Sequence, residues 1–136
     1  MTQYIQWFKD LGMNDVPVVG GKNASLGEMI ANLSNAGIQV PDGFATTADA
    51  FREHLQVSGL EKRINAKLDD LDTEDMTALA QTGAEIRQWV EDAPLPEGLV
   101  AAVTQAYDTI SQASNGDVSV AVRSSATAED LPEASF

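Results

Sequence analysis

Lys22 stands directly after two glycines, Gly20 and Gly21, and directly before a segment with helical apolar spacing. Glycines let the backbone approach an anion closely, and the first turn of a helix carries a partial positive charge. A lysine adds a mobile cation that can follow a phosphate group. Residues 20–22, here called the glycine–lysine turn, therefore suit phosphate binding, although an ordinary turn with a solvated lysine has the same composition. The nucleotide P-loop is excluded, because Val16 stands where that motif needs glycine.

A second candidate site, residues 123–126, follows an alternating apolar run and is called the arginine–serine segment. Arg123 begins it, and its guanidinium fork suits bidentate contact with a phosphate. Ser124 and the hydroxyl residues after it can add hydrogen-bond donors. The alternative is a structural arginine that pairs with Glu129 or Asp130 while the serines cap a turn.

The two segments are more informative together than separately. The chain has a formal net charge of −13 and only 8 Lys+Arg, yet two of these cations stand where flexible turns meet regular structure. Lys22 and Arg123 are far apart in sequence, so a shared site requires the fold to bring them together.

Other residues with chemical potential are weaker candidates. His54 is the only histidine and lies on a predicted helix without a nucleophile motif, which favours a surface or partly buried helical position. The acidic residues 69–75 lack the glycine and terminal glutamate of a calcium loop, so a solvated linker is the better interpretation. Trp7 and Trp89 are expected in the core or at an interface.

Composition limits the classes of function. The excess of Asp+Glu, 21 against 8 basic residues, argues against binding to nucleic acid or to an anionic membrane surface. The absence of cysteine excludes disulfides and thiolate metal sites. No apolar run approaches the roughly 20 residues of a spanning helix, and the first residues do not resemble a signal peptide. We therefore expect a folded cytoplasmic protein of one domain, or one lobe of a larger domain.

The elements that must position these residues are mostly helical. Strands are predicted at residues 44–46 and, as a strand or one helical turn, at residues 4–8; strict alternation predicts a further strand at residues 118–122. The predicted helices begin at Lys22 or Asn23, at Thr46 or Thr47, near Leu60, after Asp72 or Thr73, and near Pro96. The pattern indicates a helix-rich α+β fold.

Four segments in this order and spacing resemble the phosphoenolpyruvate synthase (pyruvate, water dikinase) family of PEP-utilising enzymes. They are GMND (residues 12–15), VGGKNASLGEM (residues 19–29), VPDGFATT (residues 40–47) and AVRSSATAEDLP (residues 121–132). The resemblance runs from about residue 10 to the end. It implies the first part of an ATP-grasp-like nucleotide-binding domain.

The resemblance also implies roles. Lys22 and Arg123 match family residues that contact the ATP phosphates, and Gly20, Gly21 and Ser124 would line the same site. The family converts ATP, pyruvate and water to AMP, phosphoenolpyruvate and phosphate with Mg²⁺, a gluconeogenic reaction that proceeds through a phosphohistidine on a separate domain. The magnesium ligands are expected outside residues 1–136, and none of these residues matches a catalytic position.

Residues 1–136 are expected to be a partial nucleotide-binding domain, truncated at its C-terminal side, without the phosphohistidine and pyruvate-binding domains. Such a chain should be inactive, bind ATP weakly or not at all, and either pair with another copy or be marginally stable, because Phe136 and the predicted strand at residues 118–122 would lack neighbours. Competing interpretations are part of a rifampicin phosphotransferase, part of a pyruvate, phosphate dikinase, or a non-catalytic helical interaction module.

Overall fold

The computed structural model describes residues 2–38 and 40–128, and the chain divides into two compact units. The first unit comprises Met1–Phe51 and Glu97–Phe136, and the second comprises Arg52–Pro96. The strands are β1 (Ile5–Trp7) and β2 (Phe44–Thr46), and the helices are α1 (Val16–Val19), α2 (Gly21–Leu33), α3 (Ala48–Val57), α4 (Leu60–Asp69), α5 (Met76–Asp92) and α6 (Glu97–Ala113). Short 3₁₀ turns occupy Phe8–Asp10, Met13–Asp15 and Ser34–Ala36.

The two strands of the first unit form a small antiparallel sheet. The strand predicted at residues 44–46 is confirmed, and of the two alternatives predicted for residues 4–8, a strand or one helical turn, the strand is found at Ile5–Trp7. Ile5 pairs with Thr46, and Trp7 pairs with Phe44. The two aromatic rings meet edge to face, with their centroids 5.6 Å apart. Aromatic cross-strand pairs of this kind stabilise a short sheet beyond the apolar area that they bury.

Helix α2 packs closely against the chain that precedes it. Leu11, Val19, Ala24 and Ala45 form the buried core of this region. The small residues of α2 face that core, because a Cβ built on Gly27 would lie 2.5 Å from both Cβ and the carbonyl oxygen of Leu11. The absence of a side chain at Gly27 therefore allows α2 to approach Leu11 closely.

Thr47 caps helix α3 and is one of the two residues, Thr46 and Thr47, that were predicted for this role. Its buried Oγ1 accepts a hydrogen bond from the backbone N–H of Ala50 at 3.1 Å and donates one to the carbonyl oxygen of Gln3 at 2.6 Å. The cap thus satisfies an otherwise unpaired helical N–H and also fastens α3 to the segment before β1.

The second unit contains a pair of helices held by contacts between α4 and α5. The guanidinium of Arg63 lies 3.9 Å from the centroid of the Trp89 ring, and Lys67 Nζ lies 3.0 Å from Glu85 Oε2. Both members of the ion pair are well exposed, so the cation–π contact is the more stabilising of the two.

The predicted cap of α5 is wrong. The helix was expected to begin after Asp72 or Thr73, but it begins at Met76, and Asp75 accepts a hydrogen bond from the N–H of Ala78 at 3.1 Å. Asp72 instead accepts a hydrogen bond from the N–H of Glu74 within the preceding turn. Acidic residues crowd this linker, and several of them could supply the same capping oxygen, so the sequence alone does not choose between them.

The strand predicted at residues 118–122 is also wrong. This stretch has no regular secondary structure, and its side chains are largely exposed, 50% for Val120 and 94% for Val122. Tyr107 Oη donates a hydrogen bond of 2.9 Å to the carbonyl oxygen of Val118 at the start of this stretch. Alternation marks a segment that suits a strand, but a strand forms only where a neighbouring strand can share its hydrogen bonds, and the sheet in the described residues contains only β1 and β2.

The fold class is therefore α+β, with several helices and a two-stranded sheet, as predicted. Among the helices in the described ranges, none combines the length and apolar character needed to cross a membrane.

Candidate functional site

The glycine–lysine turn joins two helices. Helix α1 has Pro17 in its first turn and ends at Val19. Gly20 caps it, and the N–H of Gly20 donates a hydrogen bond to the carbonyl oxygen of Val16 at 2.8 Å. Gly20 has φ 84° and ψ 165°, a conformation that is essentially restricted to glycine. Helix α2 then starts at Gly21, so Gly20 redirects the chain between the two helices.

Lys22 lies in the first turn of α2 and is exposed. The side-chain amide of the next residue, Asn23, donates a hydrogen bond to the carbonyl oxygen of Val19 at 2.8 Å, which ties the start of α2 to the end of α1. Asn23 was predicted only as a possible helix start, although asparagine directly after a glycine–lysine turn is a residue type whose side chain often bonds to nearby backbone groups.

The fold brings the glycine–lysine turn against the arginine–serine segment. The N–H of Gly21 donates a hydrogen bond to the carbonyl oxygen of Ala126 at 3.2 Å. A Cβ built on Gly20 would overlap Ser125 Oγ and lie 2.9 Å from the backbone nitrogen of Ala126. Gly20 and Gly21 are both buried. The juxtaposition that the two sequence segments required is therefore present in the backbone.

Residues of the arginine–serine segment differ in exposure. Arg123 and Ser124 are exposed, whereas Ser125 is half-buried, and its Oγ is buried without a hydrogen-bond partner among the described residues. Ser124 was the serine predicted to line the site, but Ser125 is the serine that contacts the glycine–lysine turn. The proposed structural partners of Arg123, Glu129 and Asp130, lie outside the described residues, as does Phe136.

Lys22 lies in the first turn of a 13-residue helix, and Arg123 lies three residues before Ala126, whose carbonyl oxygen accepts a hydrogen bond from the first residue of that helix. The chain as a whole repels anions, since its net charge is −13. A local site for a phosphate therefore depends on nearby cations and oriented backbone N–H groups, which dominate over distant charges once salt screens the latter.

The weaker candidates do not join this site. His54 is more deeply buried than expected, at 4% exposure, and its Nε2 lies 3.4 Å from the carbonyl oxygen of Val90, within the second unit. Because a carbonyl oxygen only accepts, Nε2 must be the protonated nitrogen if this hydrogen bond forms. Within the described ranges, residues 69–75 included, no group of three or more His, Cys, Asp or Glu residues is placed to hold a metal ion.

Comparison with known proteins identifies the family. The family model described as pyruvate phosphate dikinase, AMP/ATP-binding domain, matches residues 16–136, which include both the glycine–lysine turn and the arginine–serine segment. The chain is 57% identical to a phosphoenolpyruvate synthase of Pseudomonas aeruginosa over 136 residues, which is 100% of the chain and 17% of that relative.

Other relatives give the same result. Phosphoenolpyruvate synthases of Escherichia coli and Deinococcus radiodurans are 57% and 58% identical, each over 132 residues that cover 97% of the chain and 16% of the relative. The chain therefore spans about one sixth of the length of these relatives. The match over residues 16–136 shows that the chain belongs to the pyruvate phosphate dikinase AMP/ATP-binding domain family.

Proposed function

We propose that this chain is the N-terminal part of an ATP-grasp-like nucleotide-binding domain in a phosphoenolpyruvate synthase. In this proposal Lys22 and Arg123 contact the phosphates of ATP, and Gly20, Gly21 and Ser124 line the same site. The full enzyme would be a cytoplasmic phosphotransferase that converts ATP, pyruvate and water to AMP, phosphoenolpyruvate and phosphate.

One observation carries the proposal. Two segments that each suit phosphate binding, and that lie far apart in sequence, adjoin through the hydrogen bond from the Gly21 N–H to the Ala126 carbonyl oxygen. A solvated lysine turn without a ligand does not require an arginine-containing segment beside it. Such a pairing is therefore unexpected by chance in a chain with only 8 basic residues. Family membership and the names of the relatives support the same ligand class.

The residues fit the triphosphate of ATP by chemistry. Lysine supplies a point charge, and arginine supplies a planar fork that binds two oxygens of one phosphate group. The positive end of α2 adds the partial charge of its first backbone N–H groups. These groups would bind and orient the phosphates, which is the protein's main contribution to phosphoryl transfer.

Magnesium, pyruvate and the phosphohistidine step are assigned to other parts of the longer protein. The acidic groups of the described residues form no metal cluster. In this proposal Mg²⁺ would be held by ligands elsewhere in the full enzyme and would neutralise phosphate charge from there.

The test is a titration of the isotope-labelled chain with ATP, followed by backbone NMR chemical shifts. We expect weak binding, with a dissociation constant of about 1 mM, equivalent to about 4 kcal/mol. The largest shifts should fall on the amides of residues 20–23 and 123–126. A hydrogen bond to a charged group contributes about 1.5–3 kcal/mol, so Lys22→Ala and Arg123→Ala should each weaken binding by roughly tenfold or more.

Lys9→Ala is the matched control, since Lys9 is an exposed lysine of the first unit outside both segments. Its removal makes the net charge of the chain one unit more negative, as Lys22→Ala does, but should leave the shift pattern unchanged. Equal losses from Lys22→Ala and Lys9→Ala would indicate non-specific attraction and contradict the proposal. The absence of any ATP-induced shift in the two segments would favour the non-catalytic interaction module.

A further inference from the structure

Ser125 Oγ, in the arginine–serine segment, occupies the place beside the Gly20 α-carbon where a side chain would begin. We infer that this contact, here called the Gly20–Ser125 contact, is a positioning device that sets the separation of Lys22 from Arg123. Ser125 would then act through its neighbours rather than by touching the nucleotide, and Gly20 would add this role to lining the phosphate site. The inference rests on the proposed function for its consequence, but the contact itself can be tested without any ligand.

The space beside the α-carbon of Gly20 is filled by protein. A Cβ there would overlap Ser125 Oγ, and it would also lie 2.9 Å and 3.0 Å from the backbone nitrogen and carbonyl carbon of Ala126. Backbone atoms cannot rotate away as a side chain can. The missing side chain of Gly20 therefore admits another part of the chain, and it is not open for the approach of a phosphate from that direction.

The Ser125 hydroxyl contributes volume rather than a hydrogen bond. Its Oγ is buried and makes no hydrogen bond among the described residues. An unpaired buried hydroxyl costs stability, so its position is explained by shape and not by polarity. The two segments are oriented instead by the adjacent hydrogen bond, in which the Gly21 N–H donates to the Ala126 carbonyl oxygen.

The contact limits how far the two cations can separate. Lys22 follows Gly20 by two residues, and Arg123 precedes Ser125 by two. Since a residue spans at most about 3.5 Å, two residues on each side plus the contact itself keep the two α-carbons within about 20 Å. Both side chains are long enough to converge from that range on a single triphosphate. Because both cations are only two residues from the contact, a shift of the contact would move both of them.

The structural readout is hydrogen exchange at the Gly21 amide, measured on the full chain without nucleotide. This amide should be protected, because it donates to Ala126. Gly20→Ala should increase its exchange rate at least tenfold, and Ser125→Val, which enlarges the other side of the contact without changing Gly20, should do the same. Gly37→Ala is the control, because Gly37 also has a positive φ (81°) but has no atom within 4 Å of an added Cβ.

The functional readout is ATP affinity from the NMR titration. Gly20→Ala and Ser125→Val should each weaken binding at least fivefold, whereas Gly37→Ala should not. Adding Ser125→Gly to Gly20→Ala removes the nearest overlapping atom and should recover part of both the amide protection and the affinity. Simple backbone strain at residue 20 would give no such recovery, so recovery identifies the contact as the cause.

The outcomes separate this inference from the proposed function. If the unsubstituted chain shows no ATP-induced shifts, the proposed function fails, and the positioning role fails with it, whatever the Gly21 exchange rate. If ATP binds, but Ser125→Val retains both Gly21 protection and full affinity, the positioning role is overturned while the proposed function stands. Loss of protection with unchanged affinity also overturns it.

Discussion

Gly27 lies in the middle of α2 with its α-carbon directly against Leu11. Of the three atoms nearest to a Cβ built there, Leu11 Cβ and the Leu11 carbonyl oxygen lie at 2.5 Å and the carbonyl carbon at 2.7 Å. Gly83, in the middle of α5, is the matched control. A Cβ there would meet only Arg87 Nη1, the far end of a flexible side chain, at 3.3 Å.

The two positions should respond to alanine with opposite signs. In an unobstructed helix, glycine to alanine stabilises by about 1 kcal/mol, and Gly83→Ala should realise most of that gain. At Gly27 the same gain is opposed by overpacking, which costs about 3 kcal/mol at the upper end of its usual range, because two of the three atoms are backbone. We therefore expect Gly27→Ala to destabilise the first unit by about 2 kcal/mol.

The two tryptophans allow each unit to be followed separately. Trp7 belongs to the first unit and Trp89 to the second, and the chain has no other tryptophan. Urea unfolding followed by fluorescence should therefore be recorded in Trp89→Phe and Trp7→Phe backgrounds. The Trp7 signal should report the loss at Gly27 as a lower urea midpoint. In a thermal scan of the same variant it should report a melting temperature lower by about 8 °C, at roughly 4 °C per kcal/mol. The Trp89 signal should report the gain at Gly83.

A stabilising Gly27→Ala, equal in size to Gly83→Ala, would refute the reasoning. It would mean that α2 can move away from Leu11 without loss of packing, and that the small residues of α2 are not required by the close approach.

Three further predictions concern single contacts. Thr47→Ala should lower the free energy of unfolding by about 1–2 kcal/mol, since it removes a buried helix cap with two hydrogen bonds. Thr47→Ser should recover most of that loss in the same urea assay. An unchanged urea midpoint in Thr47→Ala would exclude the cap as a stabilising contact. Asp75→Ala should lower the stability of the second unit by about 1 kcal/mol, and by more than Asp72→Ala does. A larger loss from Asp72→Ala in thermal unfolding would mean that Asp72, one of the two predicted residues, caps the helix. Arg63→Ala should cost about 0.5–1 kcal/mol and shift Trp89 emission, whereas Arg63→Lys should retain part of the effect; an unchanged emission maximum in both variants would be evidence against the cation–π contact.

Local signals in the sequence predicted local structure well. Apolar spacing with Gly37 as a stop predicted α2, and Thr47 was one of two predicted caps for α3. Each of these depends on residues within a few positions of one another, so a propensity or a capping hydrogen bond decides the outcome. The prediction of Asp72 or Thr73 as the cap of α5 was wrong, because the neighbouring acidic residues offer equivalent capping oxygens and Asp75 is the one that caps the helix.

Features that depend on distant parts of the chain were predicted less well. The valines at residues 118–122 have the right alternation for a strand, but strand formation depends on a hydrogen-bonding neighbour that no local pattern specifies. The role of Ser125 was missed for the same reason, since nothing near it in sequence indicates that Gly20 lies against it. The nucleotide contacts of Lys22 and Arg123 stay predictions.

The second unit is an insertion within the first, because residues 52–96 separate the two chain segments that make up the first unit. During folding, the segment that ends at Phe51 and the segment that begins at Glu97 must come into contact, although the insertion separates them in sequence. Closing such a long loop is entropically costly while it remains a flexible coil, and compact local structure within the loop lowers that cost. Because α4 and α5 are neighbours in sequence and in contact, they can form early and shorten the effective loop. The rate at which the first unit assembles should therefore depend on the helical stability of residues that belong to the second.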